Sequence, residues 1–126
     1  MKMYSKSVER PWGEYEVLAD YSYAKVKRIL VKPGQRLSYQ YHTKRQEQWT
    51  VVHGNLTIIL DDEKVFRGPG ESIRIPLGAK HRAWNETDEW VEFIEVQTGT
   101  YFGEDDIVRL EDDYKRNFLE FQSILH

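Results

Sequence analysis

Two glycine-punctuated stretches carry most of the information in this chain: residues 34–54, GQRLSYQYHTKRQEQWTVVHG, and residues 70–85, GESIRIPLGAKHRAWN. Side chains alternate between the two faces of an extended strand, so Gln40 and His42, two residues apart, point the same way. The five-residue step from His42 to Glu47 leaves room for a short turn. Glu47 is therefore expected on the next strand, facing the same side as the first pair.

The second stretch supplies a further candidate ligand, His81. The turn before it, Pro76-Leu77-Gly78-Ala79-Lys80, contains proline and glycine, which allow the chain to change direction without strain. Two imidazoles, one carboxylate and one amide oxygen suit a borderline divalent ion such as zinc, iron, manganese or nickel. The spacing therefore predicts a mononuclear metal site whose ligands are Gln40, His42, Glu47 and His81.

The glycines, Pro76 and Asn85 that punctuate the two stretches resemble the two signature motifs of the cupins. Cupins are small antiparallel β-barrels that carry one metal in the barrel mouth. Most of them have a histidine where this chain has Gln40. The order Gln, His, Glu, His is similar to the zinc-binding set of the mannose-6-phosphate isomerases, which makes zinc the first choice of metal.

A longer resemblance covers residues 10–116 and points to the type II mannose-6-phosphate isomerase domain, usually found at the C-terminus of bifunctional mannose-1-phosphate guanylyltransferases. It rests on the segments RPWG at 10–13, VKPG at 31–34, LS at 37–38, IEVQ at 94–97 and GEDDIVR at 103–109. The chain departs from that family at four places. Thr43, Lys44 and Gln48 replace histidines, and Tyr114-Lys115-Arg116 replaces Tyr-Gly-Arg. None of the four expected ligands is changed.

The resemblance implies a metal-dependent isomerase that interconverts mannose 6-phosphate and fructose 6-phosphate. The reaction moves a proton between C2 and C1, and a divalent metal would act as a Lewis acid on the sugar oxygens. Two alternatives stay open at this point. One is a non-catalytic cupin that binds a sugar phosphate or partners a separate guanylyltransferase, and the other is a metal-dependent oxygenase of the broad cupin type.

Two residues are candidates for the base that moves the proton. Glu95 shares a strand face with Gln97, and burial there would raise the pKa of its carboxyl group, as general base catalysis requires. Lys44, beside Arg45, is the other candidate.

The phosphate group of such a substrate requires fixed cations, and arginine suits this role because its planar fork pairs with two phosphate oxygens at once. Arg45 lies between the ligand-bearing segments and is the first choice, so it is counted among the catalytic residues with Lys44 and Glu95. Further substrate-binding candidates are Arg36, Lys80, Arg82 and Arg109.

The coarse pattern predicts an all-β fold, a single cupin (jelly-roll) antiparallel barrel over residues 1–126 with a short C-terminal helix. Short runs bounded by turn residues predict strands at 13–18, 23–31, 37–42, 47–52, 56–60, 64–67, 72–76, 81–85 and 91–97. From residue 107 to 125, apolar side chains recur at steps of three and four, which predicts an amphipathic helix. This helix would cover the barrel or a subunit edge, and a homodimer is expected.

Composition excludes several classes of protein. The chain has 126 residues, a net charge of −3 and no cysteine, so disulfides and thiolate metal sites are excluded and one domain is expected. Basic residues are interspersed with acidic ones, which argues against a nucleic-acid partner. No phosphate-binding glycine loop, signal segment or membrane span is recognised, and a cytoplasmic protein that acts on a small sugar phosphate is expected.

Overall fold

The computed structural model describes residues 7–114, which form eleven β-strands and no helix. The strands are β1 Ser7–Arg10, β2 Gly13–Asp20, β3 Ala24–Val31, β4 Tyr39–Tyr41, β5 Arg45–His53, β6 Leu56–Leu60, β7 Glu63–Arg67, β8 Ser72–Ile75, β9 His81–Trp84, β10 Val91–Gly99 and β11 Val108–Glu111. No helix within this range has the length and hydropathy of a membrane span.

The strands form two antiparallel sheets. One has six strands in the order β1-β2-β3-β10-β5-β8, and the other has five in the order β11-β4-β9-β6-β7. Chain neighbours such as β3 and β4 lie in different sheets, while β3 pairs with the distant β10. The all-β jelly roll expected from the sequence is confirmed, as two hydrogen-bonded sheets and not one closed cylinder.

Strand alternation explains where the core lies. In β5 the side chains of Arg45, Glu47, Trp49 and Val51 are buried, while the residues between them are more exposed. Phe93 of β10 is Val51's cross-strand partner, and its ring packs at a tilt against the Trp49 ring, 4.7 Å between centroids. The apolar core therefore fills one part of the space between the sheets, and polar side chains of the same strands face the remaining part.

Tight turns fix the registers that the site depends on. The β6–β7 hairpin turns through Asp61 and Asp62, which both adopt positive φ, of 48° and 71°. Aspartate tolerates this left-handed conformation, and a two-residue turn of this kind matches the twist of the strands. Gly78 adopts a φ of 79° in the turn before His81, where a side chain would be strained.

The prediction of a C-terminal helix is wrong over residues 107–114, the part of the predicted helix that the structure describes. Val108–Glu111 is an edge strand that pairs with β4, with Val108 opposite Tyr41 and Arg109 opposite Gln40. The main-chain N–H and C=O groups of this segment form hydrogen bonds with β4, and this pairing requires an extended backbone. In a helix the same groups would bond within the segment itself. The remainder of the predicted helix, from residue 115, lies outside the described residues, and the homodimer stays a prediction.

Candidate metal centre and cavity

Three buried side chains from different parts of the chain meet between the sheets. His42 directly follows β4, Glu47 lies in β5 and His81 opens β9. One ligand atom from each lies within 4.8 Å of the other two. The distance from Glu47 Oε2 to His42 Nε2 is 3.2 Å, and from Glu47 Oε1 to His81 Nε2 it is 3.8 Å. The structure therefore brings together three of the four predicted ligands.

Both histidine rings are held in the orientation that a metal ligand needs. His42 Nδ1 donates to the main-chain oxygen of Asp106 at 2.7 Å, and His81 Nδ1 donates to that of Ala79 at 2.9 Å. A carbonyl oxygen only accepts, so the ring proton lies on Nδ1 and the Nε2 lone pair faces Glu47. His81 Nε2 is buried with no hydrogen-bond partner within residues 7–114. Burial also lowers the pKa of His81, which favours the neutral ring that binds metals.

Glu47 supplies the negative charge of the centre. Burial alone would raise the pKa of its carboxyl group, but the neighbouring His42 and His81 rings and the Arg45 guanidinium outweigh this effect and lower it. Trp49 Nε1 donates to Glu47 Oε1 at 2.9 Å and fixes the carboxylate. A carboxylate between two imidazoles in a buried site is a donor set that a divalent metal fits.

Gln40 lies beside this triad. It is the cross-strand partner of His81 in the β4–β9 pair and of Arg109 in the β11–β4 pair. Directly opposed residues of antiparallel strands have their side chains on the same face. Gln40, which lines the same cavity as Glu47, therefore lies on the inner face next to His81.

Arg45 reaches into the centre from the start of β5. Its Nε donates to Glu47 Oε2 at 2.9 Å, and its Nη2 lies 3.2 Å from His42 Nε2. The side chain is almost fully buried, and its Nη1 has no hydrogen-bond partner in the described part of the chain. The guanidinium therefore contacts two candidate ligands, Glu47 and His42, and also borders the cavity beside them.

That space is a cavity of about 460 Å³ between the sheets. Trp12 and Tyr15 form part of its wall, and its charged lining comes from strands of both sheets and from the segment between β10 and β11. The charged residues that line it are Arg10, Lys27, Arg45, Arg109, Glu47, Glu95, Glu104 and Asp105. A cavity of this size, with several polar groups converging on it, is typical of a small-molecule site.

Glu95 lies in the wall of the cavity and is buried. Burial raises the pKa of its carboxyl group to about 7, and the negative charge of Glu47 acts in the same direction. Gln97 Nε2 donates to Glu95 Oε2 at 2.6 Å and orients the carboxylate. A carboxyl group that titrates near neutral pH can accept a proton from a substrate.

Several predicted site residues lie away from the cavity. Arg82 follows His81 on β9, so strand alternation turns it to the opposite face, where it pairs with Glu111 at 2.7 Å. Arg36 pairs with Asp113 at 2.7 Å, and Lys80 pairs with Asp62 at 3.2 Å. Lys44 is exposed, with its ammonium over the Tyr101 ring. These basic residues are absent from the cavity lining, whereas Arg45 and Arg109 belong to it.

Asp106 supports the site, and the sequence does not single it out beyond its place in the segment at 103–109. Its carboxylate accepts from the main-chain N–H groups of Thr43 and Lys44 at 3.1 and 2.9 Å, and from the Thr43 hydroxyl at 2.8 Å. Its main-chain oxygen holds the His42 ring. Asp106 therefore positions the turn that carries His42. Lys27 and Glu104 of the cavity were also missed.

Thr43, Lys44 and Gln48 depart from the family pattern, and all three lie outside the cavity. Thr43, Lys44 and Gln48 are exposed, and none of them lines the cavity. Gln48 alternates with Glu47 and faces the outside of its sheet. The residues that contact the candidate metal centre are thus unaffected by these changes.

Comparison with known proteins agrees with the motifs. Residues 1–112 match the family described as "Mannose-6-phosphate isomerase C-terminal". The chain is 47% identical over 111 residues to the xanthan biosynthesis protein XanB of Xanthomonas campestris pv. campestris strain B100, covering 88% of this chain and 24% of that protein. It is 45% identical over 111 residues to the mannose-1-phosphate guanylyltransferase ManC of Salmonella typhimurium, covering 88% of this chain and 23% of that protein. The chain thus spans about a quarter of the length of these relatives.

Among solved structures, KdgF from Halomonas sp. superimposes with a TM-score of 0.71 at 17% identity, covering 79% of this chain and 89% of that one. This likeness concerns the fold alone.

Proposed function

The chain belongs to the mannose-6-phosphate isomerase C-terminal family, and from this premise we propose that it is a metal-dependent isomerase that interconverts mannose 6-phosphate and fructose 6-phosphate. The observation that carries the proposal is the meeting of His42, Glu47 and His81 beside a cavity that also contains Glu95. The printed names of the relatives include a guanylyltransferase. The family that matches this chain is described as mannose-6-phosphate isomerase C-terminal, so the isomerase reaction is the one proposed.

The metal would be held by His42, Glu47 and His81, with Gln40 beside them. Zinc is the first choice, and iron, manganese or nickel would also suit this donor set. When bound, the ion supplies Lewis acidity that stabilises negative charge on the sugar oxygens as the C2 proton leaves.

Glu95 is the base in this proposal. Its carboxylate takes the proton from C2 of the open-chain aldose, which leaves a cis-enediolate with the negative charge on O1. The proton then returns to C1 while the hydroxyl proton of O2 passes to O1, and this gives the ketose. The pKa of about 7 allows the same group to accept and donate the proton near neutral pH. Lys44, the other base considered, is exposed outside the cavity lining.

Arg45 and Arg109 are the cavity-lining members of the predicted phosphate-binding set. Arg45 is fixed by Glu47 through its Nε, which leaves its Nη1 free to donate to a ligand oxygen. A guanidinium held in this way pairs with phosphate oxygens at little entropic cost.

Two variants separate binding from chemistry. We expect Arg45→Ala to raise the KM for mannose 6-phosphate with a small change in kcat, because a contact made equally in ground and transition states affects binding alone. His42→Ala removes a ligand, and no sugar concentration should restore its rate. Arg74→Ala, on the outer face where Arg74 contacts Gln46, is the control and should match the unmodified protein.

A coupled assay for fructose 6-phosphate, with metal content measured on each sample, provides the test. Unmodified protein that holds its metal and yet does not isomerise mannose 6-phosphate would reject the proposal. In that case the alternative, a binding module for a sugar phosphate, would replace it.

A further inference from the structure

Two buried cations in the cavity wall share a single carboxylate. Lys27 of β3 lies 3.2 Å from Glu104 Oε1, and Arg45 Nη1 of β5 lies 3.7 Å from Glu104 Oε2. The exposed fractions of the Lys27 and Arg45 side chains are 7% and 4%, whereas that of Glu104 is 50%. The cations therefore belong to the rigid sheet, and the anion is delivered by the segment between β10 and β11.

The cations are fixed independently of Glu104. The Lys27 ammonium lies over the Tyr15 ring at 4.5 Å, and Lys27 is the cross-strand partner of Glu95. Arg45 is fixed by its hydrogen bond to Glu47. A cation–π contact and a buried ion pair of this kind hold the two positive groups in place without the Glu104 carboxylate.

Glu104 accepts a hydrogen bond from only one of these two cations. It accepts a hydrogen bond from Lys27, but Arg45 Nη1 is left without a hydrogen-bond partner among residues 7–114. A buried N–H without an acceptor is unfavourable. A phosphate monoester carries more charge than a carboxylate and has three terminal oxygens, so it can accept from both cations at once.

We propose that Lys27 and Arg45 form the slot that binds the phosphate group of the substrate, and that the Glu104 carboxylate occupies this slot until the phosphate displaces it. The identity of the sugar phosphate rests on the proposed function, whereas the anion slot itself does not. The half-exposed Glu104 side chain can turn to solvent with little loss of packing. Its displacement breaks an ion pair that only a competing anion can replace, so the slot selects phosphorylated sugars over neutral ones.

The slot is tested by calorimetric titration of the metal-loaded, 126-residue chain with inorganic phosphate, mannose 6-phosphate and mannose. Lys27→Met keeps the length of the side chain and removes its charge, and should weaken binding of both phosphate ligands by about ten-fold or more. Glu104→Gln removes the competing charge and should tighten the binding of inorganic phosphate several-fold. Mannose should bind far more weakly than mannose 6-phosphate.

A matched control is the pair formed by Lys64 and Glu86, 2.9 Å apart and outside the cavity lining. Lys64→Met and Glu86→Gln should leave the affinity for phosphate within about two-fold of the unmodified protein. Circular dichroism of each variant reports whether it folds. If Lys27→Met does not fold, Glu104→Gln decides alone, because loss of a merely structural ion pair would not tighten phosphate binding.

The proposal is overturned if Glu104→Gln binds phosphate no more tightly than the unmodified protein, or if folded Lys27→Met keeps its affinity. It is also overturned if the unmodified chain binds neither phosphate ligand. An active isomerase with either of the first two results would reject the slot and keep the function. Tightened phosphate binding in a chain that does not isomerise would keep the slot and reject the function.

Discussion

Replacing Glu47 by glutamine tests the charge balance of the candidate metal centre. Glu47 is 3% exposed and accepts hydrogen bonds from Arg45 Nε and Trp49 Nε1, both at 2.9 Å. Glutamine keeps the shape but offers one oxygen in place of two, so one donor must face the amide NH₂ group. Arg45, itself 4% exposed, also loses its buried counter-ion.

Breaking a buried ion pair by removing one partner costs about 3–5 kcal/mol. The amide still accepts one hydrogen bond, so we take the low end, about 3 kcal/mol. For a chain of this length that corresponds to a fall in Tm of roughly 10 °C. The assay is thermal and urea unfolding in the presence of a chelator, which removes any contribution from bound metal. Glu63→Gln, an exposed glutamate of β7, is the control and should melt with the unmodified protein.

The pH dependence of this difference has a definite sign. The folded state lowers the pKa of Glu47 below its ordinary value of 4.5, so its stabilising contribution is complete above that pH and is lost on acidification. The difference in unfolding free energy between the two proteins should narrow below about pH 4, where the carboxyl group of Glu47 becomes protonated in the unfolded chain. A Glu47→Gln protein that melts within about 2 °C of the unmodified chain would refute the reasoning.

Three further outcomes follow from the site and its supports. Glu95→Gln should lower kcat by about 10²–10⁴-fold. In the unmodified protein, kcat/KM should rise with pH to a plateau above about 7, where the carboxylate form of Glu95 dominates. A profile that is flat from about pH 5 to 9 would exclude Glu95 as the base. Gly99→Ala should lower stability by about 3 kcal/mol in a thermal melt, because its Cβ would lie 2.3 Å from the Lys44 oxygen. Gly34→Ala, with open space but a φ of 75°, should lose only about 1 kcal/mol, and equal losses would contradict this account. Asp106→Asn should weaken metal binding about 10–100-fold in a chelator competition. The reason is that an amide cannot accept hydrogen bonds from all three donors that bond to the Asp106 carboxylate. An unchanged affinity for the metal would contradict a positioning role for Asp106.

Local rules predicted the parts of the site that depend on strand alternation. Glu47 and Trp49 are two residues apart on β5, so alternation places them on the same face of the strand. In the structure both side chains are buried. The same rule, applied to β9, separates His81 from Arg82. The charge of Arg82 makes it a substrate-binding candidate, but its position on the strand turns it away from the cavity.

The parts that the sequence did not reveal depend on contacts between distant residues. Lys27 is a functional candidate only because Glu104, 77 residues away, delivers its carboxylate to the same cavity. Asp106 is separated by 63 residues from Thr43, whose turn it holds. The segment that begins β11 has the apolar spacing of a helix, and only its pairing with β4 makes it a strand. No local pattern contains this information.

The most direct test of the central claim is a ¹H NMR time course of mannose 6-phosphate in D₂O with the 126-residue chain. Three samples are compared: metal-loaded, chelator-treated and metal-restored. The account predicts that fructose 6-phosphate accumulates in the first and third samples only, with deuterium from solvent appearing at C1, because the base exchanges its proton with solvent during transfer. Samples that contain one metal per chain and leave mannose 6-phosphate unchanged would contradict it.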